Sequence, residues 1–144
     1  MTKIAIGSDH GGFELKNIIK DFLIANNYEV EDFGIFEKKP VNYPEIARLV
    51  STSVANRESN KGILICGSGL GMAIAANKIK GIRAVTCSET YSAKMSRLHN
   101  DANVLTMGQR VIGEDVALEI VKIWLETEFE GGRHQVRVDM IEAD

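Results

Sequence analysis

At 144 residues, with 44% hydrophobic and 26% charged side chains, the chain has room for one globular core and none for a second domain. A net charge of -3 supplies no broad basic field, which argues against nucleic acid, and no apolar run approaches the roughly 20 residues that cross a bilayer. "MTKIAIGSDH" has no leader pattern, and Cys66 and Cys87 match neither a disulfide framework nor a zinc spacing, so a cytoplasmic protein with two free thiols is expected.

In chain order, "KIAIGS" reads as a strand, and "GGFELKNIIKDFLIANN" sets Phe13, Leu15, Ile18, Ile19, Phe22 and Leu23 at helical spacing. "YEVEDF" alternates as a strand does. The loop "EKKPVNYPE" leads into a helix over about Pro44 to Asn56, with Pro44 in its first turn. A strand from Gly62 to Cys66 follows, then a turn carrying Gly67, Gly69 and Gly71 that opens a helix. The pattern continues with the strand "IRAVTC", a helix over about Glu89 to Leu98, the strand "NVLTMG" and the helix "EDVALEIVKIWLETEF". Such alternation predicts a single-domain, three-layer α/β/α sandwich with a Rossmann-like, parallel, five-stranded sheet and right-handed crossovers.

In an open sheet of this kind ligands bind beyond the carboxyl ends of the strands, the edge to which Asp9, His10, Cys66 and the glycine turn all map. Asp9 is equally well suited to capping the first helix, and His10 to the surface. Cys87 reads as a small core residue. For Cys66 a thiolate is favoured, because turn amides and a helix N-terminus both attract negative charge, and the same amides can hold an oxyanion. A dinucleotide site is the rival. Glu89 lies near the distance of a ribose-binding acid, but G-x-G-x-G departs from the G-x-G-x-x-G spacing and no substrate domain is available.

Two further stretches carry polar chemistry. "SRLHNDANVLTMGQR" gathers His99, Asn100, Asp101 and Asn103 at a helix end, which suits either a functional group or a C-cap with Asn100 or Asn103 left-handed. In "EGGRHQVRVDM", Arg133 and Arg137 are four apart. On a helix they share one face, as a solvated tail or as a forked phosphate anchor.

Taken together, "SDHGG", "ICGSGLG", "RLHNDANVL", "GQRVIG" and "EGGRHQVRV" resemble the type B ribose-5-phosphate isomerases, whose family includes galactose-6-phosphate isomerase subunits. The resemblance spans essentially the whole chain, and the combination of motifs is similar to the pentose branch. It implies an aldose–ketose isomerase of ribose 5-phosphate and ribulose 5-phosphate that needs no metal and no cofactor. By motif, Cys66 would be the base moving a proton between C2 and C1, and His99 the acid/base that opens the sugar ring. Asp9, His10, Gly67, Ser68, Gly69, Leu70, Gly71 and Asn100 would contact the sugar and its enediolate, while Arg110, Arg133 and Arg137 would hold the phosphate. Ser68 replaces a frequent threonine and Asn42 a frequent aspartate, which leaves the substrate-side role of Tyr43 to be found. Six-carbon substrates such as allose 6-phosphate or galactose 6-phosphate, a nucleotide-binding module and a thiol redox protein are the alternatives.

Topology adds one expectation. The helix before "NVLTMG" must return the chain to the amino edge of the sheet, so His99 and Asn100 lie opposite their own Cys66. A homodimer, or a dimer of dimers, with shared sites is therefore expected, and the tail from about 132 to 144 is expected to pack on the partner subunit.

Overall fold

The computed structural model describes residues 1–144. Five parallel strands form one sheet: β1 (Lys3–Ser8), β2 (Glu29–Asp32), β3 (Lys61–Cys66), β4 (Ala84–Thr86) and β5 (Val104–Gly108), in the order β2-β1-β3-β5-β4. Helices α1 (Phe13–Ala25), α2 (Tyr43–Ala55), α3 (Leu70–Ala76), α4 (Thr90–Asn100), α5 (Glu114–Glu126) and α6 (Arg133–Glu142) alternate with the strands or follow them, and a 3-10 turn over His10–Gly12 precedes α1. None of the helices is long and apolar enough to cross a membrane.

The strands are apolar throughout because both faces of the sheet are covered. Ile63 and Ile65 point to one face, where they meet Leu15, Ile19 and Leu23 of α1 and Ile120, Val121 and Trp124 of α5. Leu64 and Cys66 point to the other, against Val50 and Val54 of α2 and Met72 and Ala76 of α3. These are the three expected layers. Each fully buried aliphatic side chain contributes about 1.5–3 kcal/mol.

A buried ion pair joins α1 to the end of β2. Lys16, only 1% exposed, reaches Asp32 at 2.8 Å and the Ile35 carbonyl at 2.7 Å. Burial alone would push the Asp32 carboxyl up. Hydrogen bonds from Lys16, the Gly34 amide and Lys20 outweigh it, so this group lies below the usual carboxylate range.

Two elements depart from the sequence reading. Only Ala84 to Thr86 of "IRAVTC" form a strand, because β4 is an edge with β5 as its one neighbour. On its open side the Asn77 side chain both accepts from the Ala84 amide at 2.7 Å and donates to the Ala84 carbonyl at 3.0 Å, standing in for a further strand. Helix α4 runs on to Asn100, and its left-handed C-cap is Asp101 (φ 48°), not Asn100 or Asn103. Arg97 fixes the Asp101 carboxylate at 2.8 Å, while Asn103 is occupied between the Arg83 amide and the Gly81 carbonyl.

Candidate active site

The chain runs from β1 to β2 on one side of the sheet and from β3 to β4 on the other, so a crevice opens at the carboxyl ends of the neighbouring strands β1 and β3. A cleft of about 530 Å³ occupies that point, lined by Asp9, Tyr43, Cys66, Gly67, Ser68, Gly71, Arg110 and Val111. Asp9 serves two purposes: its carboxylate accepts from the Gly11 amide at 2.9 Å, capping the 3-10 turn, and it also faces the cleft. His10 begins that turn, exposed and outside the cleft lining.

Cys66 ends β3, 6% exposed, and its Sγ accepts the Gly69 N–H at 3.1 Å. Gly69 is left-handed (φ 84°), and a Cβ there would come within 2.8 Å of the Met107 backbone, so only glycine makes this turn. A Cβ on Gly71 would lie 2.6 Å from the Tyr43 ring, which shows how closely the start of α2 covers the turn. Leu70 points outward, 59% exposed, and Gly69 sits behind the turn, so neither lines the cleft. The amides of Gly67, Ser68 and Gly71 have no acceptor in the chain. Because α3 has only seven residues, these free N–H groups, more than a macrodipole, make the turn attractive to an anion.

Arg110 lies across Gly67: its amide donates to the Gly67 carbonyl at 3.1 Å, and its guanidinium is 3.2 Å from where a Gly67 Cβ would stand. Gln109 anchors this loop, accepting from the Leu15 amide at 3.0 Å and donating to Glu14 at 3.1 Å. Hydrogen bonds from Lys38 and Gln109 lower the Glu14 carboxyl to about 2.

The remaining expected residues form a second cluster. Gly62 pairs with Val104 and Cys66 with Gly108, so α4, which ends just before β5, delivers His99 and Asn100 to the amino edge. Four strand steps, about 13 Å, separate the two edges. His99 stacks on His134 of α6, ring centroids 4.2 Å apart, and Arg133 and Arg137 stand exposed on the same helix. Burial first, then the nearby His99, Arg133 and Arg137, hold His134 below the ordinary histidine value. Within one chain the two clusters do not meet.

Other expectations are decided by single contacts. Glu89 caps α4 by accepting from the Ser92 amide at 2.8 Å and is not among the residues that line the cleft. Burial, with Glu89 nearby, pushes the Cys87 thiol up to about 11, as befits a core residue. His99, Glu130 and His134 place ligand atoms within 4.8 Å of one another, but the two imidazole planes are within 12° of parallel. Their lone pairs run side by side rather than converging, which does not fit a metal. The sequence reading passed over His134, although it lies between the two arginines it had singled out.

Residues 4–141 match the family model described as "Ribose/Galactose Isomerase". The chain is 52% identical over 143 residues to ribose-5-phosphate isomerase B of Escherichia coli, covering 99% of this chain and 96% of that protein. Among solved structures, ribose-5-phosphate isomerase B of Clostridium thermocellum superposes with a TM-score of 0.97 at 54% identity, over 98% of this chain and 95% of that one. The enzyme of Mycoplasma genitalium with bound ribulose-5-phosphate gives 0.94 at 40% identity, over 98% and 94%. A carboxyl-edge thiol in a glycine turn, on a chain matched almost end to end, has one assignment: the protein belongs to the ribose/galactose isomerase family.

Proposed function

We propose that the protein interconverts ribose 5-phosphate and ribulose 5-phosphate, with Cys66 as the base. The observation that carries this reading is the Cys66 Sγ held by the Gly69 amide at the mouth of a cleft with free N–H groups. A proton alpha to a carbonyl is weakly acidic, so its removal needs a base and donors for the charge that develops. In the open-chain aldose the thiolate takes the C2 proton, the C–H electron pair forms the C1–C2 double bond, and the carbonyl pair moves to O1. Amides of the turn receive that oxyanion, each well-placed donor contributing about 3 kcal/mol. The double-bond pair then takes the thiol proton back at C1 while the O2 proton passes to O1 and the O2–H electron pair closes the C2 carbonyl, which gives the ketose and restores the thiolate.

His99 opens the ring, Asp9, His10 and Asn100 hold sugar hydroxyls, and Arg110, Arg133 and Arg137 hold the phosphate. Tyr43 closes one wall of the cleft. This assembly requires a second subunit, whose α4 end and α6 bring His99, Asn100, Arg133 and Arg137 to the cleft. Exposed apolar side chains support such a partner: Ile74 on α3 is 67% exposed, and Met140 on α6 is 71% exposed.

The test is an isomerisation assay over four-, five- and six-carbon sugar phosphates with the parent and Cys66→Ala. Ribose 5-phosphate should be turned over best, and Cys66→Ala should lose at least about a thousandfold in kcat while still binding substrate. Near-parental turnover by Cys66→Ala would remove the cysteine as base. A clear preference for allose 6-phosphate or galactose 6-phosphate would move the protein to the six-carbon branch.

A further inference from the structure

The glycine turn is held from behind by two hydroxyl groups that the proposed reaction does not use. Thr106 of β5 is fully buried, and its Oγ1 donates to the Gly69 carbonyl at 2.8 Å. Thr86 of β4 places its Oγ1 2.8 Å from that of Thr106 and 3.3 Å from the same carbonyl. Each hydroxyl has one proton. Thr106, at 2.8 Å, is the nearer donor to the carbonyl, and Thr86 backs it with its own proton, given either to the Thr106 oxygen or to the same carbonyl.

Gly69 is the link between this pair and the thiol. Its carbonyl takes the Thr106 hydroxyl and the Ala73 amide at 3.2 Å, and its N–H reaches Cys66 Sγ at 3.1 Å. As a left-handed glycine it has no side chain to restrain it, so its orientation depends on what its peptide groups bond.

We propose that Thr106, backed by Thr86, is a positioning residue for the Cys66 thiolate: its hydroxyl fixes Gly69 so that the Gly69 N–H stays on the sulfur. The consequence for catalysis rests on the reading of Cys66 as base; the consequence for thiol reactivity does not. Asp9 after β1, Tyr43 of α2 and Arg110 after β5 are the titratable or charged groups that line the cleft with the cysteine. None of them hydrogen-bonds to either threonine, so a change at Thr106 reaches the sulfur through the turn.

The experiment measures alkylation of Cys66 by iodoacetamide against pH in the intact protein, with the modified peptide identified by mass spectrometry, for Thr106→Val, Thr106→Ser and Thr86→Val. Loss of the donor should move the alkylation midpoint upward and slow the reaction near neutral pH about three- to tenfold in Thr106→Val. Thr106→Ser, which keeps the hydroxyl, should stay within about twofold of the parent, and Thr86→Val should slow alkylation about two- to threefold. In parallel, kcat should fall by the same factor in each variant with little change in KM. A folded Thr106→Val with the parental alkylation profile overturns the proposal. If Thr106→Val does not fold, a Thr86→Val that reacts as the parent does overturns it instead. Should Cys66→Ala retain turnover, the reading of Cys66 as base fails while the alkylation profile still decides the role of Thr106.

Discussion

Arg137 and Cys66 sit at opposite ends of what a sequence can say about single residues. The cysteine was legible because strand, glycine turn and helix follow one another within "ILICGSGLG", so local pattern alone put a thiol at a site edge. The arginines were legible only as a pair at helical spacing. In the structure Arg137 has no carboxylate partner, and Arg133 has only a loose one, Glu130 at 3.8 Å. Guanidinium groups left without acidic partners are free to fork onto a dianion. Arg137→Ala is expected to raise KM for the sugar phosphate about ten- to a hundredfold, as loss of a charge-assisted bond worth about 1.5–3 kcal/mol implies, and to weaken inhibition by inorganic phosphate. Steady-state kinetics with phosphate as competitor measure both, and an unchanged KM would take Arg137 out of the site.

Among the elements, α6 depends most on the rest of the molecule. Two glycines with positive φ, Gly131 and Gly132, release the chain from the segment after α5, and α6 then buries only His134 and Val138. Its C-terminal end is tied by Arg83 to Glu142 at 2.8 Å. His134 is buried with Nε2 lacking a hydrogen-bond partner, and burial is the first cause that lowers its affinity for a proton in the folded state. The unfolded chain therefore binds that proton more readily, so this contribution to stability is complete above the ordinary value of about 6.5 and declines as pH falls below it. Hydrogen exchange at pH 7.5 and 5.5, corrected for intrinsic rates, should show α6 losing protection at the lower pH. In His134→Gln the protection should be lower at both values and no longer depend on pH. Equal protection of the parent at both pH values would show that His134 does not govern docking.

For the whole molecule the decisive fact is that Cys66 and His99 occupy opposite edges of the sheet. If both act on one sugar, they come from two chains related by a twofold axis. Cys66→Ala and His99→Ala chains, each inactive or nearly so, should complement when unfolded and refolded together in equal amounts. Half the dimers are then mixed, each with one intact site, so about a quarter of the sites should recover. No recovery, with mixed dimers shown by native mass spectrometry, would mean that the sites are not shared.

The alternation of apolar runs and amphipathic helices was enough to determine the parallel sheet, the carboxyl edge at which the cleft opens, and even the return of His99 to the far edge. Each of these follows from period and connectivity within about thirty residues. Only the folded chain decided the order β2-β1-β3-β5-β4 that sets Asp9 beside Cys66, the stacking of His99 on His134, and the threonine hydroxyls behind Gly69. The Thr106–Gly69 and His99–His134 contacts join residues 37 and 35 positions apart, and no local pattern specifies which distant partner closes on which. That choice is made by packing, when strands and helices with interchangeable apolar faces settle on the one arrangement that fills the core and satisfies the buried polar groups.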